Sequence, residues 1–211
     1  MKKKLAILGA GGHAKVVADT ARTLGWRDIY FFDAAFGSPE MTGRPEVIGN
    51  DTDLLSRRQD FPNVVVALGK NELRLRKIRE LCSLGFLAPV LVHPRAYVAA
   101  DVSLGAGTVV FAGAVIQPAT TVGEGCIINS CASVDHDCAL GDGVHVCPGA
   151  RIAGGVVIGD FGWIGIGSSI SHCLKLGESV TLGAGAALVN DAKSGLTYLG
   201  VPARASSVDD L

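Results

Sequence analysis

Residues 122–158 read VGEGCIINSCASVDHDCALGDGVHVCPGARIAGGVVI. An aliphatic residue falls on every sixth position of this stretch, and the same spacing continues on both sides of it. The complete series has 17 members, all of them Leu, Ile or Val: Val92, Val98, Leu104, Val110, Ile116, Val122, Ile128, Val134, Leu140, Val146, Ile152, Ile158, Ile164, Ile170, Leu176, Leu182 and Leu188. This spacing matches neither the 3.6-residue period of an α-helix nor an uninterrupted strand alternation. A fixed short period is typical of a solenoid, in which each repeat packs on the next.

A second inward-facing column accompanies the first. The residue four positions after each aliphatic residue is small or β-branched, except at Gly162 and Leu174. A period of 18 is superimposed, because an aliphatic-glycine pair recurs at Leu104-Gly105, Val122-Gly123, Leu140-Gly141, Ile158-Gly159 and Leu176-Gly177. Three hexapeptides therefore form one triangular coil, and coils stack at the ~4.8 Å spacing of β-strands. We predict a little over five coils, with glycine at one corner where the chain turns tightly.

The composition is that of a folded chain without a strong charge bias. The 211 residues include 19 Lys or Arg and 20 Asp or Glu, and 48% of them are hydrophobic. This balance excludes an intrinsically disordered chain and gives no sign of a polyanion-binding surface. No run reaches the ~18 apolar residues of a membrane span, and the short apolar stretch after the first lysines is broken before any cleavage site. We therefore expect a cytoplasmic protein.

The six cysteines and five histidines give no metal-binding pattern. The cysteines lack CxxC spacing, and five of them lie in the repeat region, where small residues are required. We expect buried, reduced thiols rather than a metal cluster. The histidines and acids do not cluster at ligand spacing, so no metal site is predicted.

The first ninety residues have a different pattern. A buried strand over residues 4–8 leads into the glycine-rich turn 9–14 and then a helix, which is a βα phosphate-binding arrangement. A second strand over residues 28–32 ends at Asp33, 24 residues after Gly9, close to the spacing of a dinucleotide fold. A later strand over residues 64–69 and a helix over residues 72–83 continue the alternation. The pattern predicts a small Rossmann-like sheet.

Three interpretations of the glycine-rich turn are open. A dinucleotide such as NAD needs two mononucleotide halves, whereas about 90 residues supply one. A ligand that contains one mononucleotide, such as a nucleotide sugar, fits this size and is favoured. A purely structural turn is the third interpretation.

His136 is the candidate general base of the solenoid. At the period of 18 its neighbour in the next coil is Gly154, which would leave an open notch beside the imidazole. Asp135 and Asp137 flank His136, and a nearby carboxylate can orient an imidazole and stabilise its protonated form. The alternative is an exposed or hydrogen-bonded histidine at a coil corner. A backbone N–H near Gly154 is a candidate donor to an oxyanion.

Several motifs together resemble a known family. They are Gly9-Ala10-Gly11-Gly12-His13, Phe31-Phe32-Asp33, Ala67-Leu68-Gly69-Lys70-Asn71-Glu72, the solenoid itself, Ser133-Val134-Asp135-His136-Asp137-Cys138 and Gly200-Val201-Pro202-Ala203-Arg204. The chain resembles the sialic acid O-acetyltransferase family of hexapeptide-repeat acyltransferases, closest to its nucleotide-4-amino-sugar N-acetyltransferases of the bacillosamine and perosamine type. The resemblance implies an α/β Rossmann-like nucleotide-sugar-binding domain over residues 1–90. It further implies an all-β left-handed parallel β-helix, the acetyltransferase domain with a C-terminal tail, over residues 91–211, and homotrimers with active sites between adjacent β-helices.

The resemblance also implies roles for individual residues. His136 would be the general base, and Asp137 the acid that raises its basicity, where the bacillosamine enzymes have Glu. The residues that would line an acetyl-CoA groove are His145, Gly154, Ile166 and Ala184. Those that would bind the nucleotide sugar are Gly11, Gly12 and His13 in the phosphate and sugar loop, Asp33 as the nucleotide-binding acid, and Gly69 through its backbone. Ala34 stands where the bacillosamine enzymes have a second acid.

The predicted reaction is acetyl transfer from acetyl-CoA to the 4-amino group of a nucleotide-linked 4-amino-4,6-dideoxyhexose. The amine would attack the thioester directly in a ternary complex, with no covalent enzyme intermediate. Two alternatives are O-acetylation of sialic acid and a non-catalytic solenoid that binds a nucleotide sugar. The sequence leaves open whether the nucleotide is UDP, GDP or dTDP.

Overall fold

The computed structural model describes residues 4–41 and 46–206. The chain divides into two compact units, the first ending at Leu91 and the second beginning at Val92. The expected boundary lies one residue earlier.

The first unit contains a parallel sheet of three strands, β1 (Lys4–Leu8), β2 (Asp28–Phe32) and β3 (Val64–Val66), in the order β2-β1-β3. Its helices are α1 (Gly12–Thr23), α2 (Asp51–Ser56) and α3 (Asn71–Ser83), with a 3₁₀ turn at Pro39–Met41. The central strand β1 is buried over its last four residues, as a parallel strand covered on both faces must be. The alternation confirms the predicted α/β architecture, and its three strands correspond to one mononucleotide-binding half.

The core of this unit is aliphatic with one aromatic cluster. The ring of Phe61 contacts Phe32 and Tyr30 edge to face, at centroid distances of 5.3 and 5.4 Å. Helix α1 buries one face, made of Ala14, Val17, Ala18 and Ala21. The 3.6-residue period places these residues on a single apolar stripe of the helix, and this stripe packs against the sheet.

The second unit is the predicted left-handed parallel β-helix, with about six coils where the repeat count predicted a little over five. Each coil contributes one two-residue strand to each of three faces. The first face carries β4 (Leu91–Val92), β7 (Val109–Val110), β10 (Ile127–Ile128), β13 (His145–Val146), β16 (Trp163–Ile164) and β19 (Thr181–Leu182). The second carries β5 (Tyr97–Val98), β8 (Val115–Ile116), β11 (Ser133–Val134), β14 (Arg151–Ile152), β17 (Ser169–Ile170) and β20 (Ala187–Leu188). The third carries β6 (Ser103–Leu104), β9 (Thr121–Val122), β12 (Ala139–Leu140), β15 (Val157–Ile158) and β18 (Lys175–Leu176).

Strand pairing confirms the period of 18. Ile128 pairs with Val110 on one side and with Val146 on the other, so equivalent residues of successive coils are in register. The second residue of each strand points into the prism, which is why the aliphatic series occupies the core. The last coil is followed by β21 (Thr197–Leu199), parallel to β19, and β22 (Arg204–Ala205), antiparallel to β21.

Threonines in the second inward column connect successive coils. The Thr108 hydroxyl donates to the Gly123 carbonyl over 2.8 Å and accepts from the Cys126 N–H over 3.0 Å. Thr120 makes the same pair of bonds with the Asp135 carbonyl and the Cys138 N–H. Because each hydroxyl satisfies a backbone group of the next coil, these buried polar atoms do not disturb the core.

The recurring glycines serve a different purpose from the one predicted. A Cβ on Gly123 would lie 2.7 Å from the Gly141 carbonyl carbon, and one on Gly159 would lie 2.7 Å from the Glu178 nitrogen. The coils therefore approach too closely at this corner for any side chain. The positive φ angle of the turn falls two residues later, for example at Phe161 (61°), so close stacking and not turn conformation requires these glycines.

The cysteines are free thiols, but the expectation that they are buried is only half right. Cys126, Cys138 and Cys147 are buried, whereas Cys82, Cys131 and Cys173 are exposed. Cys131 and Cys173 occupy corner positions with φ of 57° and 58°, and a residue at such a corner lies outside the two inward columns. In the described segments, no group of three or more potential ligands could hold a metal ion, and no helix is long and apolar enough to cross a membrane.

Candidate active site

His136 lies at the corner between the second and third faces, in the turn from β11 to β12. Its Nδ1 is 2.7 Å from the Oδ2 atom of Asp137, so the shorter aspartate side chain does reach the imidazole. Asp137 has a φ of 57°, a left-handed conformation that aspartate tolerates better than most residues. Because a carboxylate accepts but does not donate a hydrogen bond, Nδ1 carries a proton, and in the neutral imidazole Nε2 presents its lone pair.

The charges around His136 favour its protonated form. The hydrogen bond to Asp137, followed by the charge of Asp135, raises the pKa of His136 above its ordinary value. An Asp135 carboxylate oxygen also accepts the backbone N–H of His136 over 2.9 Å, which fixes the start of the turn. In the single chain 61% of the His136 side chain and 66% of the Asp137 side chain are exposed. The pair is therefore an accessible base on the surface of the prism.

Gly154 lies directly beneath the imidazole. A Cβ at this position would be 2.6 Å from Cε1 and 2.8 Å from Nε2 of His136. The predicted notch exists only in part, because the ring of His136 itself covers the space that the missing side chain leaves. The neighbouring Gly155 N–H donates to the His136 carbonyl over 2.9 Å, so it is not free to bind an oxyanion, and an oxyanion donor near Gly154 stays a prediction.

Cys138, two residues after His136, is not a nucleophile in this geometry. Its side chain is buried, and the Sγ atom donates to the Ala153 carbonyl over 3.3 Å. Burial raises the pKa of this thiol, and burial raises that of Cys147 to about 12. A thiolate is the reactive form of cysteine, so neither residue supplies one near neutral pH.

The four residues predicted to line an acetyl-CoA groove are distributed around the prism. His145 lies on the first face, and Ile166 and Ala184 lie in successive coils at the corner between the first and second faces. Gly154 lies at the corner that holds His136. The second face thus has Ile166 and Ala184 at one edge and Gly154, beside His136, at the other. Because His145 lies on a different face, a single chain does not bring the four predicted groove residues together.

Two of these residues have distinct environments. Ile166 is 57% exposed, a large fraction for an isoleucine. His145 is buried and packs edge to face on Trp163 at a centroid distance of 4.5 Å. Its Nε2 is 3.0 Å from the Asn129 side-chain amide. His145 is therefore held by neighbours within its own face, whereas Ile166 presents an apolar surface outward.

The glycine-rich turn of the first unit is exposed at Gly11 and Gly12. Gly11 is the N-cap of α1, no side chain caps the helix, and the first turn contains no acid. A Cβ on Gly11, Gly12 or Gly69 would meet nothing within 4 Å. Exposed N–H groups at a helix N-terminus with free space above them can bind a phosphate oxygen.

Asp33 organises this turn. One carboxylate oxygen accepts the Ala10 N–H over 2.8 Å, and the other accepts the Ala35 N–H over 2.9 Å. Both carboxylate oxygens of Asp33 thus bind backbone N–H groups of the chain itself. This structural role was not part of the prediction that Asp33 is the nucleotide-binding acid. Gly9 has a φ of 105°, and a Cβ there would lie 2.9 Å from the Ala67 carbonyl oxygen, so only glycine fits where the turn begins.

His13 is held neutral by its burial and, in part, by Arg74, a residue that no sequence motif indicates. Burial and the charge of Arg74 lower the pKa of His13 to about 4. Arg74 is 1% exposed and lies one turn into α3. Its sequence context, Glu72-Leu73-Arg74-Leu75, is that of an ordinary amphipathic helix, which is why no pattern singles it out.

A pocket of about 160 Å³ lies at the carboxyl ends of the strands of the first unit. Its walls include Asp33, Ala34 and Leu73. Lys77 also borders the pocket, and its Nζ atom is 2.8 Å from the Asp51 carboxylate. In open α/β sheets this edge is the usual place for a ligand, and the small side chain of Ala34 leaves room there.

The first unit matches a known domain family. The family model described as the PglD N-terminal domain matches residues 4–81. These residues include the glycine-rich turn, Asp33 and Arg74. The match ends before the β-helix begins.

Several solved structures match almost the entire chain. The acetyltransferase domain of PglB from Neisseria gonorrhoeae, solved with acetyl coenzyme A, is 40% identical, with a TM-score of 0.90 over 98% of this chain and 100% of that one. PerB from Caulobacter crescentus, solved with CoA and GDP-perosamine, is 36% identical, with a TM-score of 0.90 over 97% of each chain. The perosamine N-acetyltransferase of this organism has also been solved with a histidine replaced by Asn or Ala. WeeI from Acinetobacter baumannii shares the fold, with 24% identity and a TM-score of 0.88 over 96% of this chain and 99% of that one.

Proposed function

The chain belongs to the family of nucleotide-4-amino-sugar N-acetyltransferases, and we propose that it acetylates the 4-amino group of a nucleotide-linked 4-amino-4,6-dideoxyhexose, with acetyl-CoA as donor. The observation that carries the proposal is the His136–Asp137 pair, with its 2.7 Å hydrogen bond, at an exposed corner of the β-helix. A general base of this kind is what acyl transfer to an amine requires.

The proposed reaction is a direct transfer. The neutral 4-amino nitrogen attacks the thioester carbonyl carbon, and Nε2 of His136 accepts a proton from the nitrogen as the tetrahedral intermediate forms. The carbon–sulfur bond then breaks, which completes the amide, and the imidazolium transfers its proton to the CoA thiolate. Asp137 holds Nδ1–H throughout and stabilises the positive charge that the imidazole gains. General-base catalysis of this type typically contributes ~10²–10⁴-fold.

The nucleotide sugar would bind in the first unit. The N–H groups of Gly11 and Gly12 lie at the open start of α1, where they can bind the diphosphate. His13 is neutral, so it contributes hydrogen bonding without charge. Gly69 offers backbone groups beside free space. Asp33 then acts mainly by holding the turn through Ala10, and the pocket beside Ala34 can take the base.

The acetyl-CoA groove would lie between two copies of the chain. His145, Gly154, Ile166 and Ala184 lie on one face and two corners of a single prism, and a second prism packed alongside would close a groove across them. The high exposure of Ile166 and of the His136–Asp137 pair supports this arrangement, because an apolar surface and a catalytic base both gain from being covered. A homotrimer in the cytoplasm, where acetyl-CoA is available, completes the proposal.

An acceptor panel tests this function. The protein is incubated with acetyl-CoA and UDP-, GDP- or dTDP-linked 4-amino sugars, and acetylated products are detected by mass. We expect acetylation of at least one nucleotide amino sugar and a His136→Ala variant slowed by ~10²–10⁴-fold in kcat/KM. The matched control is His172→Ala, which should retain full activity. His172 is an exposed histidine at the position equivalent to His136, two coils further along the β-helix. Acetylation of free sialic acid alone would contradict the proposal.

A further inference from the structure

Arg74 is a buried cation that donates hydrogen bonds to the loop before α3 and to the first residue of that helix. Its Nη1 atom donates to the Leu68 carbonyl over 3.0 Å and to the Gly69 carbonyl over 3.2 Å. Its Nη2 atom donates to the Asn71 side-chain oxygen over 2.9 Å. The side chain therefore extends back from the first turn of the helix and holds the two peptides that precede the helix.

This position is unfavourable for a cation on general grounds. Only 1% of Arg74 is exposed, and burying a guanidinium is costly unless it is well hydrogen-bonded. The N-terminal turn of a helix also carries a partial positive charge, which disfavours a nearby cation. An apolar side chain of similar length would fill the same space without either cost. The three hydrogen bonds thus suggest a requirement other than packing.

The planarity of the peptide group indicates what that requirement is. In a trans peptide the C=O of one residue and the N–H of the next point in opposite directions. Because the Leu68 and Gly69 carbonyls point inward to Arg74, the N–H groups of Gly69 and Lys70 point away from it. Both residues are exposed, and a Cβ on Gly69 would meet nothing within 4 Å, so the backbone of this loop has free space beside it.

We infer that Arg74 is a positioning residue for the nucleotide-sugar substrate: its guanidinium holds the Leu68 and Gly69 carbonyls inward, and so presents the Gly69 and Lys70 N–H groups to the substrate diphosphate. The inference rests on the proposed function, because it takes the substrate to be a nucleotide sugar. Arg74 touches no substrate atom and acts only through the backbone. Its charge also helps to keep His13 neutral, in the same unit of the protein.

The test compares Arg74→Met, Arg74→Lys and the control Arg76→Met, an exposed position on the same helix. Affinity for GDP, UDP and dTDP is measured by calorimetry, and KM is measured separately for the nucleotide sugar and for acetyl-CoA. In Arg74→Met we expect the dissociation constant of the bound nucleotide and the KM of the nucleotide sugar to rise by about tenfold or more. The KM of acetyl-CoA and the pH profile of kcat should stay as in the unsubstituted protein. Arg74→Lys keeps the charge but not the planar fork, so its effect should be smaller.

The outcomes separate positioning from a merely structural role. Unchanged nucleotide affinity in Arg74→Met, or an equal rise in both KM values, overturns the inference. If Arg74→Met does not fold, Arg74→Lys decides: a selective rise in the KM of the nucleotide sugar supports the inference, and an unchanged KM overturns it. A protein that binds nucleotide but acetylates none of the panel overturns the proposed function alone, because the calorimetric comparison does not depend on turnover.

Discussion

The imidazole of His136 lies against the Cα of Gly154, one coil further along the β-helix, so closely that a Cβ on Gly154 would be 2.6 Å from Cε1. Asp137 holds the same ring through Nδ1, over 2.7 Å. The base is thus oriented by two neighbours, a carboxylate that bonds to it and a glycine that leaves room for it. This arrangement depends on the register of successive coils, since Gly154 is 18 residues from His136.

Gly154→Ala should displace the imidazole and reduce activity. Because the ring is exposed and can rotate away, the free energy of unfolding should change by less than about 1 kcal/mol. A displaced base is poorly aligned, so kcat/KM should fall by about 10- to 100-fold. The control is the same substitution in a His136→Ala background, where the ring is gone and Gly154→Ala should have little further effect on kcat/KM. Equal losses in both backgrounds would contradict this explanation.

Asp137→Asn should shift the pH dependence of the reaction. The carboxylate raises the pKa of His136, and a general base works only when it is deprotonated, so the acidic limb of kcat/KM lies above the ordinary pKa of histidine. The amide keeps the hydrogen-bond acceptor but removes the charge, so the limb should move to lower pH. The plateau should fall by roughly tenfold, less than the ~10⁴-fold loss seen where a buried aspartate fixes the tautomer.

Asp135→Asn provides the matched comparison for that experiment. Asp135 also raises the pKa of His136, through its charge and without a hydrogen bond to the ring. The acidic limb should therefore move in the same direction by a smaller amount, with little change in the plateau. A larger shift for Asp135→Asn than for Asp137→Asn would show that the ring hydrogen bond is not the dominant cause.

Asp33→Asn should weaken binding of the nucleotide sugar. Its carboxylate accepts N–H groups from Ala10 and Ala35, and an amide can accept only one of them well. We expect the KM of the nucleotide sugar to rise about tenfold and the free energy of unfolding to fall by about 1–2 kcal/mol. Steady-state kinetics with each substrate varied, together with urea unfolding, measure both effects. Asp19→Asn, exposed on α1, should change neither.

Gly123→Ala should destabilise the β-helix. The new methyl group would lie 2.7 Å from the Gly141 carbonyl carbon, which forces two coils apart. Overpacking of this kind costs about 1–3 kcal/mol. Gly125→Ala is the comparison, because Gly125 has a φ of 61° and its substitution tests turn conformation, at about 1 kcal/mol. Thermal or urea unfolding should rank Gly123→Ala as the more destabilising change. The reverse order would restore the original turn interpretation.

The repeat and the adjacency of His136 and Asp137 could be predicted from the sequence, whereas the contacts of Arg74 and Asp33 could not. A period of six in Leu, Ile and Val directly specifies which side chain of each strand points inward, so core and fold follow from spacing. Arg74 has no such signal, because a helix pattern does not reveal that a guanidinium bends back to the Leu68 and Gly69 carbonyls. Asp33 was recognised by its spacing, but its partner Ala10 is 23 residues away and is brought close only by the pairing of β1 and β2.

The amino-acid sequence by itself determined the triangular solenoid, the smaller α/β unit before it and the identity of the candidate base. These features depend on local periodicity, since a residue's place in a repeat decides whether it is buried. Only the tertiary structure decided how the imidazole is held and which backbone groups face open space. Those properties depend on distances between atoms of different coils and strands. Tertiary packing sets these distances, and the spacing of residues along the chain does not specify them.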